Sequence, residues 1–88
     1  MTWTRDTIRT ELIAVLEKQA QTGATITDGS GLVADLGLDS LGYMEVLADL
    51  EDKFKLHIPD DVLREVETVG DVVAQIEKRL QAEGRLQG

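Results

Sequence analysis

The sequence predicts an all-α protein: a small four-helix bundle of three principal helices and one short helix, with a long loop between helices one and two. Three observations carry that prediction. Apolar residues recur at three- and four-residue intervals in three segments, no segment alternates apolar and polar residues as a strand would, and the apolar content of 42% includes only three aromatics, Trp3, Tyr43 and Phe54. An aliphatic core of this kind suits packed helices. Eighty-eight residues make one domain spanning 1–88 with a single modest core, and neither an internal repeat nor a low-complexity tract divides it.

The first helix is expected from about Thr4 to Gln21, with Ile8, Leu12, Val15, Leu16 and Ala20 on one face. Thr4 is its candidate N-cap, and Trp3 and Ile8 occupy the positions of a hydrophobic staple. Asp6 near its start and Lys18 near its end match the helix dipole, and Gly23 can supply the left-handed stop. From Thr22 to Leu38 the chain reads as irregular, turning around Thr27-Asp28-Gly29-Ser30-Gly31 and anchored by Leu32, Val33, Leu36 and Leu38. A loop this long in a small domain is either functional or a loose connector.

Helix two is expected from Ser40 or Leu41 to about Lys55, with Leu41, Met44, Leu47, Leu50 and Phe54 as its buried stripe. Gly42 loosens its first turn or lets a partner approach, and Tyr43 reads as a half-exposed packing residue. Leu56-His57-Ile58-Pro59 breaks the pattern, because a proline pushes the preceding residue out of helical geometry. A short helix follows from Asp60 to about Val66, with Val62, Leu63 and Val66 turned inward. Thr68 then caps a last helix whose inner face carries Val69, Val72, Val73, Ile76 and Leu80, and residues from about Gly84 to Gly88 form a frayed tail.

Charge and composition narrow the function. Seventeen acids against nine bases give a formal charge of −8, which disfavours nucleic acid and anionic membranes and favours basic protein surfaces. The absence of cysteine removes disulfides and thiolate metal sites, and no run approaches the ~20 apolar residues of a membrane-spanning helix. A cytoplasmic chain that works as a monomer and binds no metal fits these features. Asp28, Asp35 and Asp39 lack the close ligand spacing of a calcium loop.

The most specific stretch is Leu36-Gly37-Leu38-Asp39-Ser40-Leu41, which sets one serine where loop becomes helix. There a hydroxyl meets unpaired N–H groups and the positive end of the helix dipole, a setting that suits a phosphate. The same position also suits an ordinary N-cap. Six acids (Asp35, Asp39, Glu45, Asp49, Glu51 and Asp52) and two bases lie between Asp35 and Lys55, half of the net charge of −8. Glu45, Asp49 and Asp52 are spaced to share a solvent-facing ridge.

That hexapeptide, followed by Glu45, Leu50, Glu51 and Phe54 and then by Ile58-Pro59-Asp60, resembles the acyl carrier protein family over most of the chain. The resemblance implies that Ser40, between Asp39 and Leu41, carries 4'-phosphopantetheine on a phosphodiester and that acyl intermediates ride on its thiol as thioesters. A phosphopantetheinyl transferase would install the arm, and acyltransferases, ketosynthases and other synthase enzymes with basic surfaces would dock on Glu45, Asp49, Glu51 and Asp52. Met44, Leu47 and Phe54 would contact a sheltered acyl chain. The protein would be a carrier and not itself an enzyme. Lys53, where fatty-acid-synthesis members often have an acid, and Gly42 depart from the pattern, so polyketide or other secondary-metabolite synthesis is favoured over fatty acid synthesis. A start at Met1 suggests a stand-alone protein.

Three alternatives remain open at this stage. Leu38-Asp39 replaces the Gly-Gly or Gly-His approach frequent in peptidyl or aminoacyl carriers, which favours the acyl branch over that one. A non-carrier acidic interaction module has the same charge and amphipathicity. Ser40, His57 and Asp39 supply the residue types of a hydrolytic triad, but Asp39 adjoins Ser40 and does not stand behind His57.

Overall fold

The computed structural model describes residues 3–19, 25–59 and 61–86, without the side chain of Leu63. Four helices run in chain order: α1 (Arg5–Gln19), α2 (Ser40–Phe54), α3 (Asp61–Glu65) and α4 (Val69–Ala82). The expected three long helices and one short one are therefore present. Among the described residues the only extended pairings are isolated bridges, Trp3 with Leu86 and Gly31 with Thr68. No helix among those residues is long and apolar enough to cross a membrane.

α1 packs against both α2 and α4 and buries Ile8, Leu12, Val15 and Leu16. Ala20 and Gly23, the expected end of this helix, lie outside the described residues, as does Asp60. Thr4 and Thr7 cap α1 reciprocally: the Thr7 amide donates to Thr4 Oγ1 (3.2 Å) and the Thr4 amide to Thr7 Oγ1 (2.9 Å). Trp3 packs on Phe54, ring centroids 4.5 Å apart, so its large apolar surface joins α1 to the far end of α2. Ion pairs tie the same helices at the surface, Lys53 to Glu11 at 2.9 Å and Arg5 to Glu77 at 3.8 Å.

The connection from Thr27 onwards is a docked strap. Arg9 forks onto both carboxylate oxygens of Asp28 at 2.8 Å. On the other side the amides of Gly70 and Val69 donate to the carbonyls of Asp28 and Ser30 (2.8 and 3.0 Å), and Leu32 N–H donates to Glu67 O (2.9 Å). Leu32, Leu36 and Leu38 are buried as expected, but Val33 is 61% exposed. Residues 31–37 wind helically, Asp35 and Leu36 N–H both reaching Gly31 O and Gly37 N–H reaching Val33 O. That winding turns Leu32 and Leu36 to one side and Val33 to the other.

In α2 the buried stripe is Val46, Leu47, Leu50 and Phe54, with Tyr43 half-buried: Leu47, Leu50 and Phe54 are buried as expected, but Leu41 and Met44 are not. Leu41 is 68% exposed and Met44 49%. Leu41, Met44, Leu47 and Leu50 follow a strict three-residue spacing, which slips about 60° per step on a helix of 3.6 residues per turn. After three steps Leu41 stands about 180° from Leu50. The series 43, 46, 47, 50, 54 mixes threes and fours and stays on one side. Lys55 closes α2 in the left-handed region (φ 54°), its N–H on Glu51 O, and lets Leu56 and Ile58 turn back into the core.

α4 has the expected inner face, with Val69, Val73, Ile76 and Leu80 buried. Thr68 and Asp71 form a capping box. Backbone N–H bonds from Glu67 (3.0 Å) and Thr68 (3.1 Å) favour the Asp71 carboxylate and hold its pKa below the usual value. Because the folded pKa is the lower one, this stabilisation is present above the unfolded-state value and lost as pH falls through the folded one. Asp71→Asn is accordingly expected to lower Tm at pH 7 and to converge with the unsubstituted protein below about pH 4. Melting curves across pH 2–7 check this; a gap that stays constant to pH 2 contradicts it.

Residues 84–86 differ from the expected loose tail. Arg85 O accepts from Trp3 N–H at 2.8 Å, Leu86 packs on the core, and the Arg85 guanidinium donates to the carbonyls of Phe54 and Lys55. The physical reason is the open C-terminus of α2: its last carbonyls need donors, and an arginine beyond the Gly84 turn (φ 71°) supplies them.

Candidate functional site

Leu36 and Leu38, both buried, pin the approach to α2, and Gly37 between them has φ 70°. That left-handed step turns the chain so that Leu38 points into the core while Asp39 leaves it. Asp39 is extended (φ −99°, ψ −176°) and is the N-cap of α2, its Oδ1 accepting from Gly42 N–H at 2.7 Å and its carbonyl from Tyr43 N–H at 2.9 Å. Ser40 is therefore the first helical residue, and the capping role open to it in the sequence belongs to Asp39. A Cβ on Gly42 would stand 3.3 Å from Asp39 Oδ1 and 3.4 Å from Leu38 Cδ2. Gly42 thus leaves room for the capping carboxylate beside it.

Ser40 is exposed. Among the described residues its hydroxyl makes no hydrogen bond, and the N–H groups of Ser40 and Leu41 have no acceptor. With Gly42 and Tyr43 N–H already satisfied by Asp39, the open donors lie beside the free hydroxyl. An unengaged alcohol at the positive end of a 15-residue helix fits the attachment of a phosphodiester, which adds acceptor oxygens where donors are unmet.

The outer surface of α2 carries Glu45 and Asp52, both exposed, with Asp49 half-exposed beside them. Among the described residues Glu45 and Asp49 have no ion-pair partner, and Asp52 meets only the exposed Lys55 at 3.7 Å. Leu41 and Met44 add apolar area to that surface. Glu51 differs from its acidic neighbours: its Oε2 accepts from Ile58 N–H at 2.9 Å and lies 3.3 Å from His57 Nδ1, so it fastens the turn after α2. Lys53 likewise faces Glu11 of α1 and is not part of the outer surface. His57 is 85% exposed at the opposite end of a helix about 22 Å long, so Ser40 and His57 do not meet. Among the described residues no cluster of His, Cys, Asp or Glu could hold a metal.

Beneath α2 lies an apolar cavity of about 30 Å³, lined from α1, α2 and α4, from Leu32 and Leu38 of the strap, and from Ile58, Val62 and Val66. Of the three expected acyl-contact residues only Leu47 lines it. Met44 faces outward, for the register reason given above, and Phe54 is sealed against Trp3 at the other end of the helix. Sequence reasoning missed Gln75 and Arg79, which also line it. The available signal was their spacing from Val72, three and seven residues, along one side of α4.

The sequence profile of the family described as "phosphopantetheine attachment site" matches residues 6–76. An acyl carrier protein of Exiguobacterium sibiricum is 45% identical over 67 residues, 76% of this chain and 85% of that protein. One from Rhodococcus erythropolis is 39% identical over 87 residues, 96% of this chain and 92% of that protein. A solved Mycobacterium tuberculosis structure, assigned as an acyl carrier protein, superposes with a TM-score of 0.72 at 32% identity, covering 78% of this chain and 93% of its own. By sequence, fold and the open serine corner alike, this chain belongs to the acyl carrier proteins of the phosphopantetheine-attachment family, carriers and not enzymes.

Proposed function

We propose that Ser40 is the attachment point of 4'-phosphopantetheine and that the protein, in the cytoplasm, carries acyl intermediates for polyketide or other secondary-metabolite synthesis, ahead of fatty acid synthesis. The observation that carries the reading is the Ser40 hydroxyl, exposed and without a structural role because Asp39 caps the helix. In this reading a phosphopantetheinyl transferase brings coenzyme A to Ser40 Oγ, which takes the phosphopantetheine phosphorus as adenosine 3',5'-bisphosphate leaves. The arm supplies a thiol that holds acyl groups as thioesters. Asp39 keeps the helix start fixed, and the open N–H groups of Ser40 and Leu41 face the new phosphodiester. Intact mass after incubation with coenzyme A and a transferase tests it: the chain gains one arm, and an unchanged mass sinks the reading.

Support for the polyketide branch does not come from Lys53, whose charge is spent on Glu11, but from the polar residues beside the apolar cavity. Partner docking is assigned to Glu45, Asp49 and Asp52 around the exposed Leu41 and Met44, with Glu51 retained as a structural acid. Glu45→Lys combined with Asp52→Lys is expected to lower kcat/KM for a basic partner about tenfold at low ionic strength and less at high salt. Partner kinetics measured across salt concentrations, with helicity checked by circular dichroism, test this. Equal rates at low salt would remove the acidic surface from the proposal.

A further inference from the structure

α4 ends in a Schellman turn: Arg85 N–H donates to Leu80 O at 2.8 Å and Gly84 N–H to Gln81 O at 3.0 Å, with Gly84 at φ 71°. That turn fixes where Arg85 stands, and its polar groups then serve three helices. The N–H closes α4, the carbonyl accepts from Trp3 N–H just ahead of α1 (2.8 Å), and the guanidinium donates to the carbonyls of Phe54 and Lys55 at the end of α2. Glu83 Oε1, 2.9 Å from Nη1, steers the guanidinium from its own side, and the Arg85 side chain is only 26% exposed. Trp3, Arg85 and Leu86 all lie outside residues 6–76, the stretch that the family profile matches.

A helix leaves its last carbonyls without intrahelical donors. At the end of α2 the N–H groups of Lys55 and Leu56 both go to Glu51 O, so neither serves the carbonyls beyond it. The Phe54 carbonyl is part-buried, and without a donor it would pull the last turn open toward water. A guanidinium meets that need with two donors in a fixed fork, and sets positive charge at the negative end of the helix dipole. Asp52 belongs to this last turn. It is 87% exposed, and its one ion-pair partner among the described residues is Lys55, whose carbonyl Arg85 holds at 3.1 Å. Ser40, at the other end of α2, is held separately by the Asp39 cap and the buried Leu36 and Leu38.

We infer that Arg85 is a positioning residue for partner docking: by holding the carbonyls of Phe54 and Lys55 it fixes the last turn of α2, and with it the direction in which Asp52 faces a basic partner. The inference rests on the docking role assigned above to Asp52 and adds a residue that shapes the acidic surface without belonging to it. Because the Ser40 end keeps its own supports, loss of Arg85 weakens binding of the partner and leaves the transfer step alone, so KM changes and kcat does not.

The test uses Arg85→Met, which keeps an apolar stem without donors, and Arg85→Lys, which keeps the charge without the fork. Amide hydrogen exchange is read first, with no partner present. In Arg85→Met the Lys55 and Leu56 amides are expected to exchange about tenfold faster, while those of Gly42 and Tyr43 keep their rates. Arm attachment by a phosphopantetheinyl transferase from coenzyme A is read second, at a temperature where circular dichroism shows each variant folded. Arg85→Met should raise KM for the carrier about threefold at unchanged kcat, the scale of one exposed charge pair, with Arg85→Lys between it and the unsubstituted protein. In an Asp52→Asn background the same substitution should add nothing, whereas a general loss of stability would act equally with and without Asp52. Unchanged exchange at Lys55 and Leu56, a fall in kcat, or a KM effect that persists in Asp52→Asn overturns the inference. Should Arg85→Met fail to fold, Arg85→Lys carries the same comparisons. If Asp52→Asn alone leaves KM unchanged, the docking reading falls first and this inference with it; if it raises KM and Arg85→Met does not, only the positioning role falls.

Discussion

Ser40→Ala is expected to abolish attachment of the phosphopantetheine arm completely while leaving the fold unchanged. The substitution removes one exposed oxygen that no group among the described residues bonds, and the cap on α2 belongs to Asp39 and survives. Alanine is the better helix former at a first-turn position, so stability should stay within about 0.5 kcal/mol. Intact mass and a melting curve on the same sample separate the two halves of the prediction. A gain of one arm by the Ser40→Ala chain would move the attachment elsewhere, and a collapse of Tm would mean the hydroxyl has a structural partner after all. Asp39→Ala makes the useful contrast: it keeps the nucleophile but loses the cap, at a cost of about 1 kcal/mol, so its arm should attach to a less stable protein.

Much of this site was legible in the sequence because it depends on local rules. A leucine-glycine-leucine approach, an aspartate and then a serine at the head of an amphipathic run describe a helix start that needs little tertiary information. What the sequence concealed is long-range. Nothing local announces that Arg9 will fork onto Asp28, that Lys55 will adopt a left-handed conformation usually left to glycine, or that Glu51 will turn from the acidic face to hold Ile58 N–H. Each is a polar group satisfied by a partner that only the folded chain brings near. The two misplaced members of the α2 stripe, Leu41 and Met44, have another cause. Leucines spaced by three look like a face over two turns and cease to be one over three, and only Val46 and Tyr43, weaker hydrophobic signals, revealed the true inner side. Arg79 was hidden in turn by its charge, since a basic residue late in a helix reads as a dipole partner and not as the wall of a cavity.

Phe54→Ala should produce the largest loss of stability of any substitution considered, about 3–5 kcal/mol. The side chain is fully buried, the largest so enclosed among the described residues, and it supports the Trp3 ring at 4.5 Å. Its carbonyl, with that of Lys55, takes the Arg85 guanidinium, so Trp3 and Arg85 both meet at this residue. Small domains have a total stability of about 5–15 kcal/mol, and at about 4–8 °C per kcal/mol the expected fall in Tm is roughly 12–40 °C. Met44→Ala on the same helix is the control, because a half-exposed methionine on the outer surface should cost well under 1 kcal/mol. Comparable losses in the two variants would refute the inward face assigned to α2. A small loss in Phe54→Ala alone would mean that Trp3 and Leu86 can close over the space. The outcome bears on function as well, since Phe54 anchors the end of the helix that begins with Ser40. If that anchor fails, the outer surface of α2 loses its fixed orientation, and docking should weaken in the variant even where the Ser40 hydroxyl remains open to modification.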